Sequence, residues 1–516
     1  MSGAELGLAI AGTTTTVELC FKYGKILLEK YKAFRAAEAL IQEAITCVEY
    51  HLQTTTWQLN LIRRVWDSLD EEHRYLQDQI LRILLSKLEA AVLDISRVEK
   101  TYSDTSNSPR KLPTGWKKVK YAFSVKECLD KTLKELEAWQ KKFDPLWYLL
   151  TRVAASAVDR ELARREADRP KPFATVSHLR LMLREEPRIK VSIFLPQEGL
   201  ATAQRHSIPF STCQLLERPG SSTLILESAA CDSDASDISA FTKDVRNLAG
   251  KLKNVEPTVF NLLECAGVVK VRNSATQKPQ SFDFLFKFPK HMQHPQSLRK
   301  ILLSGNEDHS LTARFRLAKQ LATSVCYVHT LGYVHKNIRP ETVLIFDDGE
   351  SSLGSLFLVG FTTFRMADVK TLRRGDLARE KNIYRHPDRQ GLHPDADYIM
   401  QHDIYSLGVC LLEIGLWESF VISDMEDKQS LQQKTRIRPY LTERGSIKST
   451  LTALASDVLP KKMGDKYSQV VVNCLTCLDE DNPDFGDESE FQDEDGVLIA
   501  VKYIQKILLQ LESISI

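Results

Sequence analysis

Apolar positions recur at helical spacing along the first third of the chain. Val17, Cys20, Phe21, Gly24, Leu27, Leu28 and Tyr31 form one stripe. Ile41, Ile45, Val48, Leu52, Leu59, Ile62 and Trp66 form a second. Leu76, Ile80, Leu84, Leu88, Ala91, Ile95 and Val98 form a third, with Ser68 or Asp70 placed to cap it. A polar break rich in Ser, Pro, Asn and Thr follows from Ser103 to Gly115. Val125, Leu129, Leu133, Leu136 and Phe143 make a fourth stripe, and Pro145 suits the first turn of a further helix through Trp147, Leu150 and Val153. Long helices with one apolar face each predict an all-α bundle over residues 1–168.

Asp168-Arg169-Pro170-Lys171-Pro172 breaks that pattern, and residues 169–209 read as a linker that docks on either neighbour. From about Phe210 the period shortens. Thr223–Glu227, Cys265–Val271 and Phe282–Phe288 read as strands, with a helix over Ile238–Leu252 between the first two. Leu311–His329 reads as a long helix, and Val343–Ile345 and Phe357–Val359 as short strands. The chain is therefore read as multidomain, an all-α bundle followed by an α+β domain over 210–516.

Composition adds limits. A chain of 516 residues with 43% hydrophobic and 27% charged residues has material for more than one buried core. The net charge of +1 argues against a polyanionic partner for the chain as a whole. Ten Cys are scattered, which suits a reducing interior. Cys474 and Cys477 form a C-x-x-C with no second pair at metal spacing, so buried helix thiols are expected there and no metal. No basic stretch precedes the apolar run Leu6–Gly12, which falls far short of the ~20 residues a membrane span needs. The expectation is a cytoplasmic protein that associates with membranes conditionally.

Local charge is uneven. Between Arg110 and Lys142 ten basic residues, Lys117, Lys118 and Lys120 among them, stand against four acids, with Trp116, Tyr121 and Trp139 interleaved. Such a face binds an anionic lipid surface or is simply solvated, and both readings stand. No reader motif accompanies the charge, so nucleic acid is not expected as a partner. From Asp479 to Asp495 there are ten acids and no Lys or Arg. That run is a solvated loop, or it masks the basic face.

The run His335-Lys336-Asn337-Ile338-Arg339-Pro340-Glu341-Thr342 follows an apolar helix end and a Gly turn. It resembles the catalytic loop of a protein kinase, usually H-R-D-L-K-P-E-N. The resemblance implies that Asn337 replaces the base Asp and Thr342 the metal-binding Asn. An amide takes no proton from a substrate hydroxyl, and Thr is a weaker Mg²⁺ ligand. Val359-Gly360-Phe361 stands where D-F-G belongs, so Val359 replaces the main Mg²⁺ ligand. Tyr384-Arg385-His386-Pro387-Asp388 resembles Y-R-A-P-E, and His402–Val409 resembles the D-x-W-S-x-G start of the helix behind the site. By that resemblance Asp403 hydrogen-bonds the catalytic-loop backbone, and Pro340, Pro387, Asp388, Asp403 and Gly408 shape the fold. His335 is expected to pack against the neighbouring strand. The small lobe departs further. There is no G-x-G-x-x-G, Glu217–Ser222 occupies the turn before the strand, and Ala229 falls at the nucleotide-pairing Lys position. The buried Arg that partners the Glu of A-P-E has no evident match.

The small apolar start Leu6–Gly12, the Glu18-Leu19-Cys20-Phe21 that follows, and Trp139 with Phe143–Trp147 resemble the HeLo and HeLo-like domains of fungal prion-inhibition and propagation proteins. That resemblance implies a bundle tied to membrane-permeabilising cell death, with an inserting element over about Leu6–Phe21 that includes Leu6, Leu8 and Ile10. Core helix is the other reading of the same residues. Together the two resemblances imply a catalytically inactive kinase-like signalling protein, a pseudokinase, that uses no cofactor. Its HeLo-like bundle would be a membrane-targeting or cell-death effector, or its regulator. The implied partners are an anionic membrane surface and an upstream protein activator or self-association. Two alternatives stay open: an atypical ATP-binding serine/threonine kinase using ATP and Mg²⁺, and a non-enzymatic interaction scaffold.

Overall fold

A computed structural model of the chain describes residues 3–32, 39–69, 71–103, 124–136, 193–200, 203–217, 220, 222–231, 235–273, 278–305, 309–362, 364–366, 378–394, 396–423, 435–443, 446–482, 484–485, 503–512 and 514. The chain divides into two compact units, Met1–Ser177 and His178–Ile516. The first is helical and the second mixes helix and sheet.

In the first unit α1 (Gly3–Lys32), α2 (Ala39–Val65), α3 (Glu71–Ser103) and α4 (124–136) turn their apolar stripes inward. Val17, Leu27 and Tyr31 of α1 are buried with Ile45, Val48, Leu52 and Ile62 of α2, Ile80, Leu84, Leu88 and Ile95 of α3, and Val125, Leu129 and Leu136 of α4. Gly24 faces Leu52 of α2, where an added Cβ would make an ordinary 3.8 Å contact. Tyr31 Oη and Thr132 Oγ1, 2.7 Å apart, tie α1 to α4. Cys20 Sγ donates to Leu81 O across α1 and α3, and burial pushes its thiol up to about 12. Leu6, Leu8 and Ile10 lie on the same continuous helix as Phe21 and Tyr31. Lys117, Lys118 and Lys120 lie outside the described residues.

The second unit opens with a six-stranded sheet of order β1-β5-β6-β4-β3-β2. The strands are β1 (Phe194–Leu195), β2 (Gln204–Ser207), β3 (Gln214–Glu217), β4 (Leu224–Ala230), β5 (Cys265–Arg272) and β6 (Pro279–Lys287). All neighbours are antiparallel except β1 and β5. Helix α5 (Ala235–Leu252) connects β4 to β5 and packs on β5 and β6. Two expectations change here. The described part of the stretch read as linker, from residue 193, supplies β1 and β2 to this sheet. The turn at Glu217–Ser222 joins β3 to β4, and the hairpin that reaches the catalytic loop lies one turn earlier, between β2 and β3. The misplacement has a simple cause: β2, with the polar sequence Gln-Arg-His-Ser, is exposed along its length and carries no apolar alternation.

Below the sheet, β7 (Gln293–Ser297) leads into α6 (Leu298–Leu303), which Ser297 caps by accepting from Lys300 N. Helix α7 (Leu311–Thr330) is capped by Ser310, and β8 (Tyr333–Val334) follows it. The three-stranded sheet β10-β9-β7 adds β9 (Val343–Asp347) and β10 (Ser355–Leu358). Helix α8 (Met400–Leu416) is buried throughout, its polar residues Asp403, Ser406 and Glu413 included, as the centre of a helical layer must be. Gly408 lets α9 (Asp465–Leu475) approach it, because an added Cβ would sit 2.6 Å from Cys474 Cβ.

Candidate functional site

The loop between β8 and β9 is organised by Asp403, fully buried on the first turn of α8. Its Oδ2 accepts from His335 N at 2.7 Å and lies 3.0 Å from His329 Nε2. Its Oδ1 accepts from Lys336 N at 2.9 Å and from Tyr398 Oη at 2.7 Å. Burial alone would raise its pKa, but the His329 contact and the other hydrogen bonds outweigh that and hold it below its ordinary value. The anchored backbone turns through Lys336 at φ 64, a conformation that non-Gly residues seldom adopt. His335 is buried with its ring 4.9 Å from that of Phe361, and burial pushes its pKa down to about 4.

Asn337 and Thr342 bond to each other's neighbourhood on the loop and to the Gly360–Thr362 segment. Asn337 Nδ2 donates to Gly360 O and Thr362 Oγ1, both at 3.3 Å, and Asn337 Oδ1 accepts from Arg339 Nε at 2.9 Å. Thr342 Oγ1 is shared between Asn337 O at 2.7 Å and Arg339 O at 2.9 Å, and accepts from Arg339 N. Pro340 opens the short turn Pro340–Thr342 that presents this hydroxyl. Val359 is buried, and its N–H donates to Thr342 O at 2.8 Å. Its aliphatic side chain offers Mg²⁺ no ligand. Gly360 then packs so closely that an added Cβ would lie 2.4 Å from Thr342 Cγ2.

On β4, Ala229 is buried and pairs with Phe282. Two residues earlier, on the same face, Glu227 reaches the Val359–Phe361 segment. Its Oε2 accepts from Gly360 N at 3.0 Å. Its Oε1 is buried without a hydrogen-bond partner among the described residues. Burial pushes this carboxyl up to about 7. A buried acid therefore stands two residues before Ala229 on the same strand face. Alternation along Leu224–Ala230 was the available signal, but Glu in an apolar strand reads from sequence as solvent-facing.

The β2–β3 hairpin bonds to this region at two points. Ser211 Oγ donates to Glu341 O at 3.1 Å, and Ser297 Oγ donates to Pro209 O at 2.7 Å. The hairpin is thus pinned at one point to the catalytic-loop backbone and at another to the cap of α6. Phe210 takes φ 54 in this turn, which contains no Gly. Flexible Gly amides that could lie over a phosphate are absent from it.

A buried cation also escaped the sequence reading. Arg299 of α6 reaches Glu413 Oε1 at 3.0 Å, Glu341 Oε1 at 3.3 Å, Tyr384 Oη at 2.5 Å, and Ser419 Oγ. Burial pushes Glu341 up, but Arg299 and Arg339 outweigh it and hold the carboxyl below its ordinary value. Burial pushes Glu413 up to about 7 in spite of Arg299. One guanidinium therefore joins α6, the catalytic loop, the Tyr384 segment and α8. Pro387 opens a short turn with Asp388, whose side chain is 53% exposed and lies 3.3 Å from His386 Nδ1. The buried Arg of this region pairs with Glu341 and Glu413, and nothing in Leu298-Arg299-Lys300 marks it in sequence.

Cys474 and Cys477 are both buried, and burial pushes each thiol well up. Among the described residues no cluster of His, Cys, Asp or Glu is arranged to hold a metal ion. Among them, too, no helix is long and apolar enough to cross a membrane. In the acidic run, Asp479 pairs with Lys448 and Asp484 with Lys506 at 2.6 Å, while residues 486–495 lie outside the described residues.

No protein-family model matches the chain. A Raf homolog serine/threonine-protein kinase of Caenorhabditis elegans is 22% identical over 180 residues, which is 34% of this chain and 20% of that protein. The chain thus covers 20% of the length of this curated relative. That similarity, together with the strand, helix and loop order described above, supports a kinase-like protein.

Proposed function

We propose that the chain is a pseudokinase signalling protein: its kinase-like unit, read here as residues 210–516 with the preceding strands, holds a shape and transfers no phosphate. One observation carries the reading. The loop at His335–Thr342 keeps its frame through Asp403, while Asn337 and Thr342 are hydrogen-bonded internally and Glu227 faces Gly360. A base, a metal ligand and a phosphate-pairing cation are the groups that lower the barrier to phosphoryl transfer, and none is offered here. The cleft accordingly uses neither ATP nor Mg²⁺.

Two measurements test this. ATP, with or without Mg²⁺, is expected to leave the melting temperature unchanged, since a ligand that binds the native state raises it. Radiolabel transfer from ATP that disappears on an Asn337→Ala substitution would overturn the proposal in favour of an atypical kinase.

The finer part of the proposal concerns the helical unit. Its resemblance to HeLo-like bundles makes residues 1–168 the effector, acting at an anionic membrane surface through the N-terminal half of α1 and the basic stretch around Lys117–Lys120. The kinase-like unit then senses an upstream activator or a second copy and releases that effector. The full chain and the isolated unit 1–177 are to be compared on anionic liposomes. The isolated unit is expected to bind more tightly and to release entrapped dye. Equal, negligible binding by both would remove the membrane role and leave an interaction scaffold.

A further inference from the structure

The β2–β3 hairpin and the Arg299 joint close into one ring of contacts. The hairpin tip, residues 209–212, stands between Ile208 and Cys213, both buried. Pro209 and Thr212 are exposed, and Ser211 is half-buried. Ser211 Oγ accepts from Cys213 N at 3.2 Å within the hairpin and donates to Glu341 O at 3.1 Å outside it. On the other side Ser297 Oγ donates to Pro209 O at 2.7 Å while accepting from Lys300 N at 3.1 Å. Ser297 is the cap of α6, and Arg299 lies in its first turn. Arg299 binds the carboxyl of the same Glu341 whose carbonyl holds Ser211, through Nε at 3.3 Å and Nη2 at 3.4 Å. The path from the hairpin through Glu341, Arg299 and Ser297 thus returns to the hairpin.

A closed ring passes a disturbance on. Ser211 fixes the backbone at Glu341, and that backbone aims the Glu341 carboxyl at Arg299. Arg299 Nη1 and Phe420 N both donate to Glu413 Oε1, at 3.0 and 2.7 Å. Tyr384 Oη meets Arg299 and Glu413 together. The hairpin tip is the weak side of the ring. Neutral hydroxyl–carbonyl hydrogen bonds tie it to α6 and the catalytic loop, whereas the bonds of Arg299 to carboxyls are charge-assisted. Phe210 at φ 54 adds backbone strain that release of the tip relieves. We infer that the tip of the β2–β3 hairpin is a latch, and that its release loosens the Arg299 joint and with it the Tyr384 and Phe420 segments. Its exposed residues make it the side on which an upstream partner acts. That last role rests on the signalling reading; the latch itself does not, and holds whether or not the unit transfers phosphate.

The test is hydrogen exchange read by mass spectrometry on the full chain, without nucleotide. Ser211→Ala removes the latch hydroxyl, and Ser211→Thr keeps it. In Ser211→Ala, exchange is expected to rise about fivefold, the effect of one neutral hydrogen bond, in peptides covering 208–214 and also in those covering 383–386 and 418–421. Peptides covering 265–272 of β5 should exchange at the wild-type rate, and Ser211→Thr should match wild type throughout. Coupling between two sites is reciprocal. Ser419→Ala, which removes a hydroxyl that accepts from Arg299 Nη1, should therefore raise exchange at 208–214 although the hairpin itself is unaltered. If Ser211→Ala does not melt cooperatively, the Ser419→Ala comparison decides. A rise confined to 208–214 in Ser211→Ala, no rise in any peptide, or an equal rise in all of them, β5 included, overturns the latch. So does a Ser419→Ala variant whose 208–214 peptides exchange as in wild type.

Discussion

Gly360 and Glu227 meet at a single hydrogen bond, and each is fixed by what the other permits. Gly360 sits at φ 98 with Thr342 against its Cα, so a side chain there meets both backbone strain and a clash. Gly360→Ala is expected to destabilise the kinase-like unit by roughly 2–4 kcal/mol in chemical denaturation, the sum of about 1–3 for strain and 1–3 for overpacking, partly relieved. Glu227 behaves differently because its cost depends on pH. Its folded pKa of about 7 lies above the ordinary 4.5, so its contribution is fully present below 4.5 and is lost as pH rises through 7. Glu227→Gln keeps an acceptor for Gly360 N and carries no charge. Relative to wild type the variant should gain stability from pH 4.5 to about 7 and level off above it, by on the order of 3 kcal/mol in all. Buried His335, with its pKa near 4, and His402, near 3, act in the opposite sense: their contribution is lost as pH falls below 6.5. The comparison must therefore be between variants at each pH, and a flat difference would show that Glu227 is ionised in the fold.

At the scale of elements, the main joint is Arg299. It holds α6, the catalytic loop and α8 through Glu341 and Glu413. Arg299→Met leaves two carboxylates without their cation in a buried site, for which about 3–5 kcal/mol is the usual penalty. Chemical denaturation should show that loss, whereas Arg299→Lys should recover part of it by restoring charge without the planar fork. The elements themselves were legible to different degrees. The stripes of α1, α2 and α3 and the strands β4, β5 and β6 stand out because their burial is one-sided or complete, and pattern records burial. Strand β2 and the edge strand β1 do not. A polar strand on an exposed edge and a two-residue strand bounded by Pro carry no period to detect.

For the molecule as a whole, the two units each enclose a core, and each is expected to fold without the other. Isolated residues 178–516 should give one cooperative thermal transition. Loss of that transition would mean that the helical unit completes the fold. Restoring one kinase residue should not restore activity. Asn337→Asp supplies a carboxylate but leaves Val359, Thr342 and Glu227 in place, so radiolabel transfer is expected to stay at the wild-type level. A clear rise would show that the remaining groups are tolerated and would reopen the enzymatic reading.

Sequence alone determined the division into a helical and a mixed region, the kinase-like frame around His335–Thr342, and the absence of a carboxylate at Asn337 and Val359. These are matters of residue identity and local period, both written along the chain. Tertiary structure decided what the buried ionisable groups face: Glu227 the Gly360 amide, Arg299 the carboxyls of Glu341 and Glu413. It also decided that the β2–β3 hairpin bonds to the catalytic-loop backbone, and that residues 193–195 dock as a strand. Each of these joins positions far apart in sequence, and no local pattern encodes a pairing whose energy exists only once water has been excluded from between the partners.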